Sequence, residues 1–261
     1  MKNLFSILSI SACILFFSSC EDCIDGSGTA VSETVAYDSF TGIDLQSSIN
    51  VYLKKGDTQE VRFEAPSNVI DALVDETNVA GGILEIDMKE GCYKNLDAKV
   101  YITLPSFSEI NASGSGDITS ESRLLVDEKF ELIVSGSGDV EIDFEGADEV
   151  KANLSGSGNI EIDSGSARFD LLDLTISGSG DFESLGSVED QKIDASGSGD
   201  VNNGNLESED CNIDLSGSGD VTVDVYDVLT AEISGSGDVC YTGNPSVFSE
   251  TPGSGDLENC N

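Results

Sequence analysis

The stretch that decides the fold is LIVSGSGDVEI, residues 132–142, in which a glycine-rich polar pentapeptide joins two alternating segments. Leu132 and Val134 alternate with other residues before the pentapeptide, and Val140 and Ile142 do so after it. An alternation of period two is typical of a strand with one buried face. The stretch therefore predicts two strands joined at a sharp corner, where we expect glycines with φ above zero.

The same pentapeptide recurs along the chain at a spacing close to 20 residues. Complete Ser-Gly-Ser-Gly-Asp copies begin at Ser113, Ser135, Ser177, Ser196, Ser216 and Ser234. A further copy at Ser155 ends in Asn159, and a shortened copy, Gly-Ser-Gly-Asp, spans residues 253–256. A period of this length indicates stacked repeats, because one unit cannot bury its apolar face alone.

We predict an all-β fold, a right-handed β-solenoid (β-helix-like) whose coils of about 18–22 residues stack roughly 4.8 Å apart. A propeller is the architectural alternative, but its blades need about 40–50 residues each. Strand-like runs before the repeats are expected to start and cap the stack, together with a short helical face over 69–74. These runs are residues 43–45, 49–53, 60–63, 84–88 and 100–104.

The N-terminal residues are typical of a secretory signal that ends at a lipidated cysteine. Lys2 precedes an apolar run from Leu4 to Phe17, which is too short to span a membrane. Cleavage before Cys20 would leave that cysteine as the first residue, ready to carry lipid. We expect a cell-envelope protein held on the outer membrane through this anchor, with exposure on the cell surface as a further expectation. The alternative is an ordinary cleaved signal with Cys20 as a plain thiol.

The expected organisation has five parts. They are a signal peptide (1–19), a lipid-anchored tether (20–34), strands that start and cap the solenoid (35–110), the repeat solenoid (111–244) and a C-terminal cap (245–261).

Composition restricts the partners and the chemistry. The chain has 50 acidic and 12 basic residues, a net charge of −38, and neither His nor Trp. Nucleic acid is excluded as a partner, because binding phosphates needs a basic face. Imidazole catalysis and imidazole metal ligands are excluded as well.

Three features of the sequence together resemble one family. They are the lipoprotein-like start, the pair of motifs Phe40-Thr41-Gly42-Ile43 and Ile102-Thr103-Leu104-Pro105, and the iterated pentapeptide that follows. The combination resembles the putative auto-transporter adhesin family with a head GIN domain, a Bacteroidetes-type lipoprotein, over about residues 35–250. The resemblance implies a β-solenoid and an adhesive role, and it supplies no catalytic residues.

The acidic residues that close the corners are expected to stack in one row. They are Asp117, Asp139, Asn159, Asp181, Asp200, Asp220, Asp238 and Asp256. The simplest interpretation is that each side chain accepts hydrogen bonds from nearby backbone amides and stabilises the turn. Bound calcium is the alternative, because carboxylates are hard oxygen ligands and like charges about 5 Å apart repel. No other cofactor or metal is expected.

The cysteines of an exported protein are free to form disulfides. We expect Cys240 to reach Cys260 and tie down the final coil, and we expect Cys23 to pair with Cys92 as a second bridge. Cys211 lies in phase with inward Ile213 and Leu215, so it should point into the core.

The function that these features favour is a non-catalytic envelope lipoprotein, an adhesin or interaction scaffold with an acidic solenoid surface and an unknown protein or glycan ligand. Two alternatives stay open. One is a polysaccharide-acting β-solenoid enzyme that uses paired carboxylates. The other is a scaffold that calcium stabilises.

Overall fold

The computed structural model describes residues 23–261, so the expected signal peptide and the lipidation site Cys20 lie outside the described residues. Within this part of the chain, the secondary structure is 21 strands and one five-residue helix. No helix between residues 23 and 261 is long and apolar enough to cross a membrane.

The elements fall into an N-terminal set and a repeat set. The N-terminal set is β1 (Ile24–Asp25), β2 (Ala30–Val35), β3 (Gly42–Leu45), β4 (Asn50–Lys55), β5 (Glu60–Pro66), α1 (Ile70–Val74), β6 (Asn78–Ala80), β7 (Ile83–Ile86), β8 (Tyr93–Lys94) and β9 (Lys99–Leu104). The repeat set is β10 (Phe107–Ala112), β11 (Ile118–Ser120), β12 (Leu124–Val134), β13 (Val140–Glu145), β14 (Glu149–Leu154), β15 (Ile160–Ile176), β16 (Phe182–Ala195), β17 (Val201–Leu215), β18 (Val221–Ile233), β19 (Val239–Gly243), β20 (Ser246–Glu250) and β21 (Leu257–Asn259).

Successive coils pair in parallel, which confirms the β-solenoid. Val140 lies opposite Ile160 in the next coil, and Ile160 lies opposite Phe182 in the coil after that. The column continues through Val201, Val221 and Val239. All of its members are buried, so the core is a set of apolar columns that run along the stack. No single coil encloses such a core, which is why stability depends on neighbouring coils.

The corner glycines are required for a different reason from the one that the sequence suggested. The expectation of positive φ at these corners is wrong, because no glycine of a Ser-Gly-Ser-Gly-Asp motif has one. The coils approach each other closely here instead. A Cβ placed on Gly156 would overlap the carbonyl oxygen of Gly136 and lie 2.7 Å from the carbonyl carbon of Ser135. Only glycine permits this approach at corner after corner.

Positive φ occurs at a second bend, after the outgoing strand of several coils. Gly146, Gly165 and Gly186 have φ values of 102°, 64° and 121°. Residues with a Cβ rarely adopt this conformation. Glycine is therefore needed at this bend for its positive φ, and at the corner because there is no room for a Cβ.

The order of the first coils in space differs from their order in the sequence. The coil of β3 and β4 comes first along the chain, yet β3 lies between β7 and β10, and β4 lies between β9 and β11. The coil of β7 and β9 therefore forms the N-terminal end of the stack. Strands β5 and β2 extend this end by antiparallel pairing with β9 and with each other.

A corner without glycine lies in the coil of β3 and β4. Ser47 and Ile49 occupy the places of Gly114 and Gly116 in the next coil, as the pairings of the flanking strands show. Residues 87–98 replace a regular corner in the coil beneath, and they include β8. Because no tight corner lies below, side chains are accommodated at 47 and 49.

The C-terminal segment forms one more coil. Strand β20 pairs with β18, and β21 pairs with β19, both in parallel. The shortened motif at 253–256 stacks on the corner before it, since the N–H of Ser254 donates to the carbonyl of Gly235 at 2.9 Å. All five residues of β20 are exposed, including Phe248, which is 62% exposed.

Replacing a corner glycine by alanine tests the steric account. We expect Gly156→Ala to lower the free energy of unfolding by about 1–3 kcal/mol, because its Cβ would force two coils apart. Gly91→Ala is the matched control, since a Cβ there would meet Tyr93 at an ordinary 3.5 Å. Urea unfolding followed by far-ultraviolet circular dichroism measures both. Equal, small effects of the two substitutions would contradict the steric account.

Candidate interaction surface

The residues that close the corners form a hydrogen-bonded ladder along the stack. The backbone N–H of Asp139 donates to Oδ1 of Asp117, one coil earlier, at 3.1 Å. The same bond recurs at 2.8–2.9 Å from each later member of the row to its predecessor: Asn159, Asp181, Asp200, Asp220, Asp238 and Asp256. The ladder begins at Asn50, whose Oδ1 accepts from the N–H of Asp117 at 3.1 Å.

The geometry of the corner explains why an acceptor side chain is needed. Asp139 directs both of its backbone groups toward the preceding coil, because its carbonyl accepts from the N–H of Ile118 at 2.9 Å while its N–H reaches Asp117. The carboxylate supplies the acceptor that faces the following coil. The sequence predicts hydrogen bonds from nearby backbone amides, and in the structure the donating amide belongs to the following coil. Asn159 fits the row because an amide oxygen accepts the same bond.

The calcium interpretation has no added support from the positions of the acidic groups. Among residues 23–261, no cluster of three or more Asp, Glu or Cys side chains has an arrangement that could hold a metal ion. Each ladder carboxylate uses one oxygen for a backbone N–H of the next coil, so it already has a structural role. Calcium binding by the row stays a prediction.

Acidic side chains also form a column on the outer face beside the corners. Glu141, Glu161 and Glu183 lie in register on β13, β15 and β16. Partial burial raises the pKa of Glu161, and the negative charges of Glu141 and Glu183 raise it further. Asp143 and Asp163, in the neighbouring column, act in the same direction. This column is therefore a site of electrostatic repulsion within the folded protein.

An aromatic and cationic stack lies on the same outer face toward the N-terminal end. The rings of Tyr52 and Tyr101 are stacked with centroids 5.1 Å apart, and the Arg62 guanidinium carbon lies 3.8 Å from the centroid of Tyr101. The antiparallel pairing of β5 with β9 places Arg62 beside Tyr101, and the parallel pairing of β9 with β4 places Tyr101 beside Tyr52. Glu64 holds the guanidinium by an ion pair of 3.1 Å.

The cysteines lie where they tie down the two ends. Cys23 is bonded to Cys92, with Cα atoms 4.5 Å apart, and Cys240 is bonded to Cys260, with Cα atoms 5.9 Å apart. The first bridge joins the tether to the irregular segment 87–98. Cys211 is a free thiol buried in the core, where loss of solvent raises its pKa.

These features define a class of protein: a parallel β-solenoid with glycine corners, a polar ladder along the corners and a charged outer face. The chain belongs to the family described as putative auto-transporter adhesin, head GIN domain, which it matches over residues 39–245. This match confirms the family that the sequence motifs resemble. No curated protein matches the chain.

Solved structures share the fold at low sequence identity. A putative adhesin from Parabacteroides distasonis ATCC 8503 aligns with a TM-score of 0.83 and 20% identity, over 91% of this chain and 100% of that one. A putative adhesin from Parabacteroides merdae ATCC 43184 aligns at 0.82 and 20%, over 92% and 100%. A putative lipid binding protein from Parabacteroides distasonis ATCC 8503 aligns at 0.79 and 24%, over 91% and 100%. At these identities the likeness shows the fold alone.

The ladder predicts that acceptor chemistry, and not charge, matters at the corners. We expect Asp220→Ala to lower the free energy of unfolding by about 1–2 kcal/mol, because the N–H of Asp238 loses its acceptor. Asp220→Asn should stay close to wild type, since its amide oxygen accepts the same bond. Thermal unfolding of both variants, with Asp214→Ala as a control on an exposed carboxylate, measures the difference.

An Asp220→Asn variant as damaged as Asp220→Ala would show that the charge itself is required. That result, together with a melting temperature that falls on addition of chelator, would favour the calcium interpretation instead.

The acidic column should lower the stability of the folded protein by an amount that depends on pH. The folded pKa of Glu161 lies above the unfolded one, so the folded state binds the proton more tightly and the penalty is fully present above the folded pKa. Stability should rise as pH falls through the folded-state pKa. The loss of stability caused by the Glu161 charge disappears below the unfolded-state pKa. We expect Glu161→Gln to raise the melting temperature at pH 7 but not at pH 3.5, and less so in high salt. Glu128→Gln is the control, because Glu128 is exposed and lies outside the column. An equal gain from both substitutions would contradict the prediction.

Proposed function

We propose that this protein is a non-catalytic, lipid-anchored envelope protein that presents its β-solenoid as an adhesive or interaction module. The family description and the names of two structural neighbours, both putative adhesins, support an adhesive role. The proposed anchor is lipid on Cys20 in the outer membrane, with the solenoid on the cell surface, and the proposed ligand is a protein or a glycan.

The observation that carries the proposal is the separation of the tether from the last coil. Strand β2, in which the tether ends, is the edge strand of one sheet, and β21 lies at the other end of the same run of paired strands. Eleven pairing steps separate these two strands, and at about 4.8 Å each they span roughly 53 Å. This separation supports attachment at one end and display at the other.

The disulfide at the N-terminal end would hold that end close to the membrane. Cys23 is bonded to Cys92 in the irregular segment 87–98, which lies in the coil of β7 and β9 at the N-terminal end of the stack. Cys23 is the third residue after Cys20, and three residues of chain reach at most about 10 Å. Lipid on Cys20 would thus bring the cap to the membrane surface, so that the stack projects outward.

The charge distribution favours the same orientation. The 69 residues after Lys192 contain 14 Asp and Glu residues and no Lys or Arg. An acidic surface is repelled by anionic lipid head groups. The distal coils are therefore kept away from the membrane and face the surroundings of the cell.

Replacing the proposed lipidated cysteine tests the anchor. We expect Cys20→Ser to move the protein from the membrane fraction to the soluble fraction, and to abolish incorporation of a labelled fatty acid. Cys13→Ala is the matched control, because it removes another cysteine of the N-terminal segment and leaves Cys20 in place. Membrane association that persists in Cys20→Ser would exclude lipid on this residue as the anchor.

The adhesive role has a separate test. Cells that display the wild-type chain should bind surfaces coated with cells, glycans or matrix proteins, and Cys20→Ser cells should bind less. A soluble protein of matched negative charge is the control for non-specific attachment. Binding no greater than this control on every surface would contradict the adhesive role.

A further inference from the structure

A shallow cavity of about 180 Å³ lies over Thr103 on the outer face of β4, β5 and β9. The tyrosines of the aromatic stack form one wall. The charged groups around the cavity are Lys54, Glu60, Arg62 and Glu121. A cavity of this size holds several waters and suits one small polar ring.

The aromatic wall is fixed before any ligand arrives. Tyr101 lies between Arg62 and Tyr52, so both faces of its ring are covered. Arg62 is itself held, since its guanidinium donates to Glu64 at 3.1 Å and to Ser32 Oγ at 3.3 Å. Rings that are immobilised in this way lose little entropy on binding. They offer an apolar surface beside polar groups, which is the pattern of small-molecule sites.

The polar groups of the rim are available to a ligand. Lys54, Glu60 and Glu121 make no ion pair within residues 23–261, although each is charged. Neighbouring lysines differ, because Lys55 is paired with Glu145 and Lys99 with Asp97. The cavity therefore combines one free cationic donor with two free anionic acceptors around an aromatic wall.

The charge of the cavity selects the kind of ligand. Glu60 and Glu121 oppose Lys54, and the charge of Arg62 is offset by Glu64. An anionic ligand would meet two local carboxylates as well as the net charge of −38. A purely apolar ligand would desolvate three charged groups without replacing their hydrogen bonds. A neutral ring with several hydroxyls satisfies both donors and acceptors, and its C–H groups contact the ring edges that the tyrosines leave exposed.

We infer that this cavity binds a single neutral hexose unit of a glycan. The inference rests on the proposed interaction function and names the ligand class for it. Lys54 donates to a sugar hydroxyl, Glu60 and Glu121 accept from hydroxyls, and the tyrosine wall packs against the ring.

Ligand-observed NMR on the purified full chain tests this subsite. The probes are methyl glycosides of neutral hexoses, with methyl glucuronide as the anionic arm. We expect saturation transfer to at least one neutral glycoside, and an affinity about tenfold lower in Tyr101→Ala, the equivalent of losing one aromatic contact. Lys54→Met and Glu60→Gln should each weaken binding as well.

Two measurements control for indirect effects. Tyr226→Ala removes an exposed tyrosine on β18, far from the cavity, and should leave the affinity unchanged. The melting temperature of Tyr101→Ala shows whether that variant is folded. If it is not folded, Lys54→Met tests the site, because Lys54 is exposed and its replacement should leave the fold intact.

The outcomes separate the subsite from the wider function. Failure to bind any neutral glycoside, binding that Tyr101→Ala and Lys54→Met leave unchanged, or a preference for the glucuronide would each overturn the subsite. Cells that display Tyr101→Ala and still adhere as the wild type does would place adhesion elsewhere on the protein, so the adhesive role would stand without the subsite, which the NMR affinities test separately. Reduced adhesion of Cys20→Ser cells tests the adhesive role independently, because this variant leaves the cavity unchanged.

Discussion

The close contact between successive glycine corners is the constraint on which the rest of the structure depends. At Gly136 and Gly156 one coil lies against the next so tightly that a Cβ would overlap a carbonyl oxygen. This contact fixes the phase of each coil against its neighbour, and a slip of one residue would turn every buried side chain outward. The carboxylate ladder then satisfies the amides that the corner geometry leaves without a backbone acceptor. Sterics and hydrogen bonding thus impose the same register.

Stacking in register places equivalent outer residues in columns. The columns differ in whether neighbouring charges have opposite signs or the same sign. One column alternates in sign through Glu131, Lys151, Asp173 and Lys192, with ion pairs of 3.4 Å and 3.2 Å. Another repeats the same sign through Glu141, Glu161 and Glu183, and the pKa of its central member is raised. Exposed ion pairs add little stability, whereas repeated like charges on the outer face keep the protein soluble and disfavour association of its outer faces. The acidic columns favour solubility at some cost in stability.

The repeat region was predictable because its information is local, while the N-terminal end was not. Alternation around residues 132–142 predicted inward and outward faces, and the spacing predicted stacked corners. The φ of the corner glycines could not be inferred, because a close approach and a left-handed turn both select glycine. The sequence did not reveal the corner at residues 46–50, because this corner contains no glycine. The one local signal is Asn50 before Val51, which resembles Asp117 before Ile118. The aromatic stack depends on residues 52, 62 and 101, which meet only through the pairings of β4, β5 and β9.

The positions of the proposed anchor and the proposed subsite together restrict the source of a glycan. Strands β5, β9 and β4 are the second, third and fourth strands from the β2 edge. At about 4.8 Å per step, the cavity lies roughly 5–15 Å from that edge. A lipid at Cys20 would hold the edge at the membrane, so a sugar in the cavity would lie close to the same surface. Glycans of the protein's own envelope reach this position more readily than glycans of another cell. The acidic distal coils, some 30 Å or more further out, are better placed for contacts with other surfaces. A neutral sugar site near the anchor and a charged surface far from it would therefore divide the solenoid into a part that binds its own envelope and a part that faces outward.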